Sequence, residues 1–146
     1  MQIAILAGGL ATRLRPLSHE QPKSIVQILG KPFLQYQLDF LKRNGIKDIV
    51  LCIGHLGEQI ENYFEDGRKF GVSIKYSRED KLIGTAGALK NAKDLLEDVF
   101  FTLYGDSYLF LDLKAALSFF ESKNKPALMS AYKNRDRYAK SNTVIE

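Results

Sequence analysis

The 146-residue sequence contains a single cysteine, Cys52, set inside the apolar run IVLCI. One cysteine excludes an intramolecular disulfide framework, and in that setting it reads as a small buried hydrophobe. Long apolar runs are also missing, and no segment approaches the roughly 20 residues that span a bilayer. The first residues lack the basic-then-apolar layout of a secretory signal, so the expected compartment is the cytoplasm, with no membrane partner. Lys and Arg outnumber Asp and Glu by 21 to 17, but they are scattered and no stretch interleaves them with aromatics. A nucleic-acid partner is therefore not expected. The histidines, His19 and His55, lie in polar turn regions without ligand-like spacing. Internal repeats, low-complexity tracts and linkers are absent as well.

What is present is the composition of one folded domain, 45% apolar and 26% charged, so disorder is not the default. Short β-rich runs alternate with segments of helical period. QIAIL reads as a strand. Pro32 to Asn44 reads as a helix with Phe33, Tyr36 and Phe40 along its buried stripe and Leu34, Leu38 and Leu41 beside them. Asp48 to Ile53 is apolar almost throughout, as in a sheet covered on both faces. LGEQIENYF is a helix, VSIKYS a strand, TAGALKNAKDLL a helix and VFFTLY a strand. LKAALSFFESKNK is a further helix, PALMSAY a further strand, and TVIE looks like the start of another. This strict alternation predicts an α/β, Rossmann-like domain over residues 1–146, with a mostly parallel sheet and helices on both faces. In such sheets ligands bind beyond the carboxyl ends of the strands, so chemistry-bearing residues should follow strands.

Three post-strand sites do so. In LAGGLATRLRP, Gly8 and Gly9 allow a sharp turn and expose main-chain N–H groups to phosphate oxygens, and Arg13 can fork onto a polyphosphate. The stretch is neither a dinucleotide fingerprint nor a P-loop. A plain strand-to-helix turn with surface arginines explains the glycines about as well. Asp106, after VFFTLY and Gly105, is placed to hold Mg²⁺ through one carboxylate, or simply to cap a turn. Glu79 precedes IGTAGALK, where Gly84 and Gly87 open a helix whose N–H groups face a ligand, or cap themselves. Lys23, in EQPKSIVQILGKPF, is a fourth candidate that would ordinarily be a solvated loop lysine. The four occur together and in order.

Together they resemble the sugar-1-phosphate nucleotidyltransferases, or nucleoside-diphosphate-sugar pyrophosphorylases. LAGGLATRLRP is similar to that family's LAGGxGTRLxP, PKSIVQILGKPF to PKxxxxxxGKPxL, SREDKLIGTAGALK to ExxPLGTAGAL, and LYGDSYL to its GD element. LCIGHLGEQIENYF and LYGDSYL look most like the D-glycero-D-manno-heptose 1-phosphate guanylyltransferases. The resemblance implies the nucleotidyltransferase fold, with Mg²⁺ as cofactor and a nucleoside triphosphate and a sugar 1-phosphate as partners. It assigns the nucleotide to Leu6, Ala7, Gly8, Gly9, Leu10, Ala11, Thr12, Glu79, Gly84 and Thr85. Arg13 would hold the departing phosphates, Lys23 would neutralise charge near the α-phosphate, and Asp106 would hold the metal.

By the same resemblance Glu79 reads the base. An ionised carboxylate only accepts hydrogen bonds. Guanine offers two adjacent donors and uracil or thymine only one between two acceptors, so Glu79 favours GTP. Mannose or glucose 1-phosphate, and UTP or dTTP, remain alternatives. From another class comes a catalytically incomplete nucleotide-binding or regulatory module. Two departures bear on it: Ala11 stands where the family pattern has glycine, at a cost of about 1 kcal/mol if that position needs positive φ, and Ile83 stands where it has proline. The resemblance also implies that the sugar-binding portion continues past Glu146, with DRYAKSNTVIE as its beginning and Asn142 and Glu146 as sugar contacts. An open sheet edge would favour homo-oligomers.

Overall fold

The computed structural model describes residues 1–9, 21–108 and 110–133. In chain order its strands are β1 (Gln2–Leu6), β2 (Gln27–Ile28), β3 (Lys31–Pro32), β4 (Asp48–Ile53), β5 (Ser73–Arg78) and β6 (Phe100–Tyr104). The helices are α1 (Phe33–Arg43), α2 (Gly57–Phe64), α3 (Gly84–Asn91) and α4 (Leu113–Lys123). Two compact units result, residues 1–110 and residues 111–146.

The first unit is built on a parallel sheet in the order β5-β4-β1-β6, with β2 and β3 forming a separate antiparallel hairpin. Leu6 lies opposite both Cys52 and Tyr104, so β1, β4 and β6 finish level. The central strands β1 and β4 are apolar on both faces because both faces are covered, and Ile49, Val50, Leu51 and Ile53 are fully buried. The edge strand β5 is buried at only two positions, Ile74 and Ser77, and exposes Ser73, Lys75 and Arg78. Val50 and Cys52 pack with Ala92, Ala88, Leu95 and Leu96, at and beyond the end of α3. The pleat turns Ile49, Leu51 and Ile53 to the other face, where a Cβ on Gly57, at the start of α2, would come within 2.9 Å of Ile53. Helices therefore cover both faces, as the alternation predicts.

Three local expectations change. In α1 the buried stripe is Leu34, Leu38 and Leu41 together with Gln37, while Phe33, Tyr36 and Phe40 are half-buried. Phe33 and Phe40 turn instead toward the ring of Tyr108, and Tyr36 donates its hydroxyl proton to the Ile28 carbonyl. PALMSAY, residues 126–132, is not a strand: it is exposed and carries no regular structure. Its apolar residues satisfy the composition of a strand, but ladder pairing needs a sheet edge alongside, and the described sheets do not include it. The helix expected to run to Leu96 ends at Asn91 and continues as a 3-10 turn over Lys93–Leu95. TVIE lies outside the described residues.

In the second unit, α4 starts at Asp112, whose carboxylate accepts from the N–H groups of Lys114 and Ala115 at 3.0 Å. It stops at Asn124, in the left-handed region at φ 47°.

The strand order also locates a site. From β1 the chain steps outward to β4 and β5, then returns to β6 on the other side of β1. That reversal falls between β1 and β6, and sheets of this kind bind ligands beyond the carboxyl ends of the strands at such a reversal.

Candidate functional site

Leu6 ends β1 half-buried, and Ala7, Gly8 and Gly9 follow it. Ala7 donates its N–H to the Cys52 carbonyl at 2.8 Å, and Gly105 donates to the Leu6 carbonyl at 2.9 Å. The turn after β6 is therefore laid against the turn after β1. Gly105 has to be small there, because a Cβ would stand 3.0 Å from the Leu6 carbonyl oxygen and 3.2 Å from Ala7. Asp106 comes next, and its Oδ2 lies 2.6 Å from Nζ of Lys23. Lys23 opens a 3-10 turn, Lys23–Ile25, after the buried Pro22. The spacing along the chain gives no hint that these two residues meet.

The lysine is 38% and the aspartate 43% exposed. An ion pair this wet contributes at most about 1 kcal/mol to stability. Its charges are available to a ligand: a triphosphate offers Lys23 an anion, and a divalent cation offers Asp106 a positive partner. Among the described residues no three His, Cys, Asp or Glu gather into a protein-only metal cage. A single accessible carboxylate suits Mg²⁺, which keeps waters and shares its remaining ligands with substrate phosphates.

On the other side of β1 stands Glu79, one residue beyond β5, its N–H bonded to the Ile53 carbonyl at 2.9 Å. A Cβ on Gly8 would come 2.6 Å from Glu79 Oε1, and one on Gly54 would come 3.2 Å from Glu79 Cγ. Gly8 thus serves by making room for a carboxylate. It does not adopt positive φ, and neither does Gly9, so the sharp turn anticipated for this pair is made without left-handed backbone. Among the described residues Glu79 Oε2 is buried without a hydrogen-bond partner, an acceptor that a donor-bearing ligand would satisfy. A cleft of about 280 Å³ opens here, lined by Gly54, His55, Glu79, Asp80, Lys81 and Leu82. Burial, and next to it the charge of Glu79, push the Cys52 thiol up to about 11.

Gly84 takes φ 73° at the head of α3, and Thr85 follows it on the exposed side. The structure therefore gathers Ala7, Gly105, Lys23 and Asp106 on one side of the turn after β1, and Gly8, Gly54 and Glu79 on the other. Leu10, Ala11, Thr12, Arg13, Asn142 and Glu146 lie outside the described residues. Sequence reasoning missed two contributors. Gly54 ends an apolar strand with nothing else to mark it, and Gln37 sits one turn from both Phe33 and Phe40 in a stripe read as aromatic.

Comparison with known proteins finds clear relatives of this chain. The chain is 38% identical over 142 residues to the D-glycero-alpha-D-manno-heptose 1-phosphate guanylyltransferase of Campylobacter jejuni, covering 97% of this chain and 63% of that protein. It is 38% identical over 135 residues to a UTP–glucose-1-phosphate uridylyltransferase of Synechocystis, covering 84% of this chain and 35% of that one. Among solved structures, HddC from Yersinia pseudotuberculosis complexed with GMP-PN superposes with a TM-score of 0.72 at 35% identity, over 84% of this chain and 54% of that one. The chain thus spans roughly one to two thirds of the length of these relatives. A family model described as nucleotidyl transferase matches residues 3–146, and the chain belongs to that nucleotidyl transferase family.

Proposed function

We propose that the chain carries the nucleotide-binding part of a sugar 1-phosphate guanylyltransferase, a single domain acting in the cytoplasm. The reaction is transfer of GMP from GTP to a sugar 1-phosphate, heptose 1-phosphate in the first instance, with release of pyrophosphate. The observation that carries this reading is the Lys23–Asp106 pair beside the β1 turn, with the unpaired carboxylate oxygen of Glu79 across the same turn.

In this reading a phosphate oxygen of the sugar 1-phosphate attacks the α-phosphorus of GTP, and the bond to the β,γ-diphosphate breaks. The protein's contribution is placement and charge neutralisation. Main-chain groups from Gly8 to Thr12 cradle the triphosphate, Arg13 holds the departing phosphates, and Lys23 neutralises charge at the reacting phosphate. Asp106 would hold Mg²⁺, whose contribution when bound is to offset the negative charge of the phosphates. Glu79 accepts from the two adjacent donors of guanine, Gly84 and Thr85 support the nucleoside, and Asn142 and Glu146 contact the sugar.

A second reading keeps the reaction and changes the substrates, to UTP or dTTP and glucose 1-phosphate. The Synechocystis relative supports it, with the same 38% identity as the Campylobacter protein.

Thermal-shift titration with GTP, UTP, dTTP, CTP and ATP, each with Mg²⁺, tests the reading. GTP should stabilise most, by about 2.7 kcal/mol at 100 times its dissociation constant. Glu79→Gln should move the preference toward UTP or dTTP, since an amide offers both a donor and an acceptor. A response led by UTP or dTTP in the unsubstituted protein would favour the second reading. Stabilisation by none of the five would overturn both.

A further inference from the structure

Gln37 is a buried glutamine on a helix that otherwise presents leucines to the core, and it is only 1% exposed. Its Nε2 donates to the Tyr104 carbonyl at 2.9 Å and to the Ser107 carbonyl at 2.5 Å. Those two residues bracket Gly105 and Asp106, and Ser107 closes the turn by donating its N–H to Tyr104 at 3.1 Å. One side-chain amide therefore holds both ends of the turn that presents Asp106. Phe33 and Phe40 lie one turn to either side of Gln37 and meet the ring of Tyr108 at centroid distances of 6.5 and 5.8 Å, pinning the chain just past the turn. The same helix carries the other half of the ion pair, because Phe33 donates its N–H to the carbonyl of Val26, at the end of the Lys23 turn, at 3.1 Å.

We propose that Gln37 is a positioning residue: through the two carbonyls it sets where the Asp106 carboxylate stands relative to Lys23. A leucine or methionine would fill the same volume without burying an amide. Among the described residues the buried amide also has no partner for its Oε1, which costs stability. What it supplies in return is two donors aimed at one turn, and no apolar side chain can do that. The inference rests on the reading of Lys23 and Asp106 as site residues, but the geometry it claims can be measured without turnover.

The test compares Gln37→Met, which keeps volume and removes the donors, and Gln37→Asn, which keeps a donor on a shorter arm. The control is Gln2→Met. Gln2 is equally buried at the opposite ends of the strands, where it bonds Asp48, Leu95 and Glu97. Zero-length carbodiimide crosslinking of the folded protein, quantified by mass spectrometry, reports contact between Lys23 Nζ and the Asp106 carboxylate. Both Gln37 variants should lose that crosslink severalfold, and Gln2→Met should keep it. In nucleotidyl transfer, kcat should fall about 10- to 100-fold in the Gln37 variants, with KM for the sugar phosphate little changed. A crosslink yield unchanged in whichever Gln37 variant folds would overturn the proposal. So would an equal loss in Gln2→Met, which would mark a general loosening. Loss of the crosslink with kcat unchanged would uphold the positioning role and refute the catalytic reading of the pair.

Discussion

Lys23 and Asp106 show how magnitude separates a structural from a chemical role. Their exposure limits the pair to at most about 1 kcal/mol of stability, whereas one well-placed electrostatic contact in a transition state is worth on the order of 10²–10³ in rate. Lys23→Ala should therefore leave the urea midpoint almost unmoved and lower turnover by that factor. A large fall in stability with little change in turnover would make the lysine a structural residue. Cys52 gives an independent check on the packing of α3 against the sheet. Its thiol holds its proton to about 11, against 9.0 for a free thiol, so it should react with a disulfide reagent at pH 8 far more slowly than an unfolded control. The sign for stability follows. The contribution is full below pH 9, where both states are protonated, and is lost as pH rises through 11. A burst of labelling at pH 8 would mean that the packing of α3 over Cys52 opens readily.

Among the elements, α1 carries the most of the site. Its buried leucines anchor it, and from it hang both the Lys23 turn and the Asp106 turn. Leu38→Ala removes a side chain that is 1% exposed and should cost about 2–5 kcal/mol in urea unfolding. Turnover per folded molecule should fall less than in Gln37→Met, because the cavity lies under the leucines and not at the turn. The periodicity of α1 was legible in the sequence, but the rotation of its buried face was not. Aromatic residues at Phe33, Tyr36 and Phe40 outrank leucine in bulk, so the pattern points them inward. Tyr108 draws two of them toward the edge of the core and leaves Gln37 inside. PALMSAY errs for a related reason. Local composition describes what a strand looks like, while pairing depends on a partner that composition does not report.

For the whole molecule, the consequence is where ligand binding should be felt. The proposed residues stand at the carboxyl ends of the strands, while Gln2, Asp48 and Leu95 form a hydrogen-bonded cluster at the opposite ends. In hydrogen exchange with GTP and Mg²⁺, amides at 7–9, 79–85 and 105–107 should gain protection. Those around Gln2, Asp48 and Leu95 should change little. Protection confined to the Gln2 end would place the ligand elsewhere and refute the site.

The sequence by itself determined the alternation of strands and helices and the parallel sheet it implies. It also determined the four motifs that mark the family, because each is a matter of a few consecutive residues and their period. Tertiary structure alone decided which of those motifs meet. Lys23 and Asp106 are 83 residues apart and come together only because β6 returns to the free side of β1. Glu79 reaches Gly8 because β5, β4 and β1 stack side by side. Strand order is set by how the apolar faces of the whole sheet are covered, a sum over distant contacts that no local window of the chain contains.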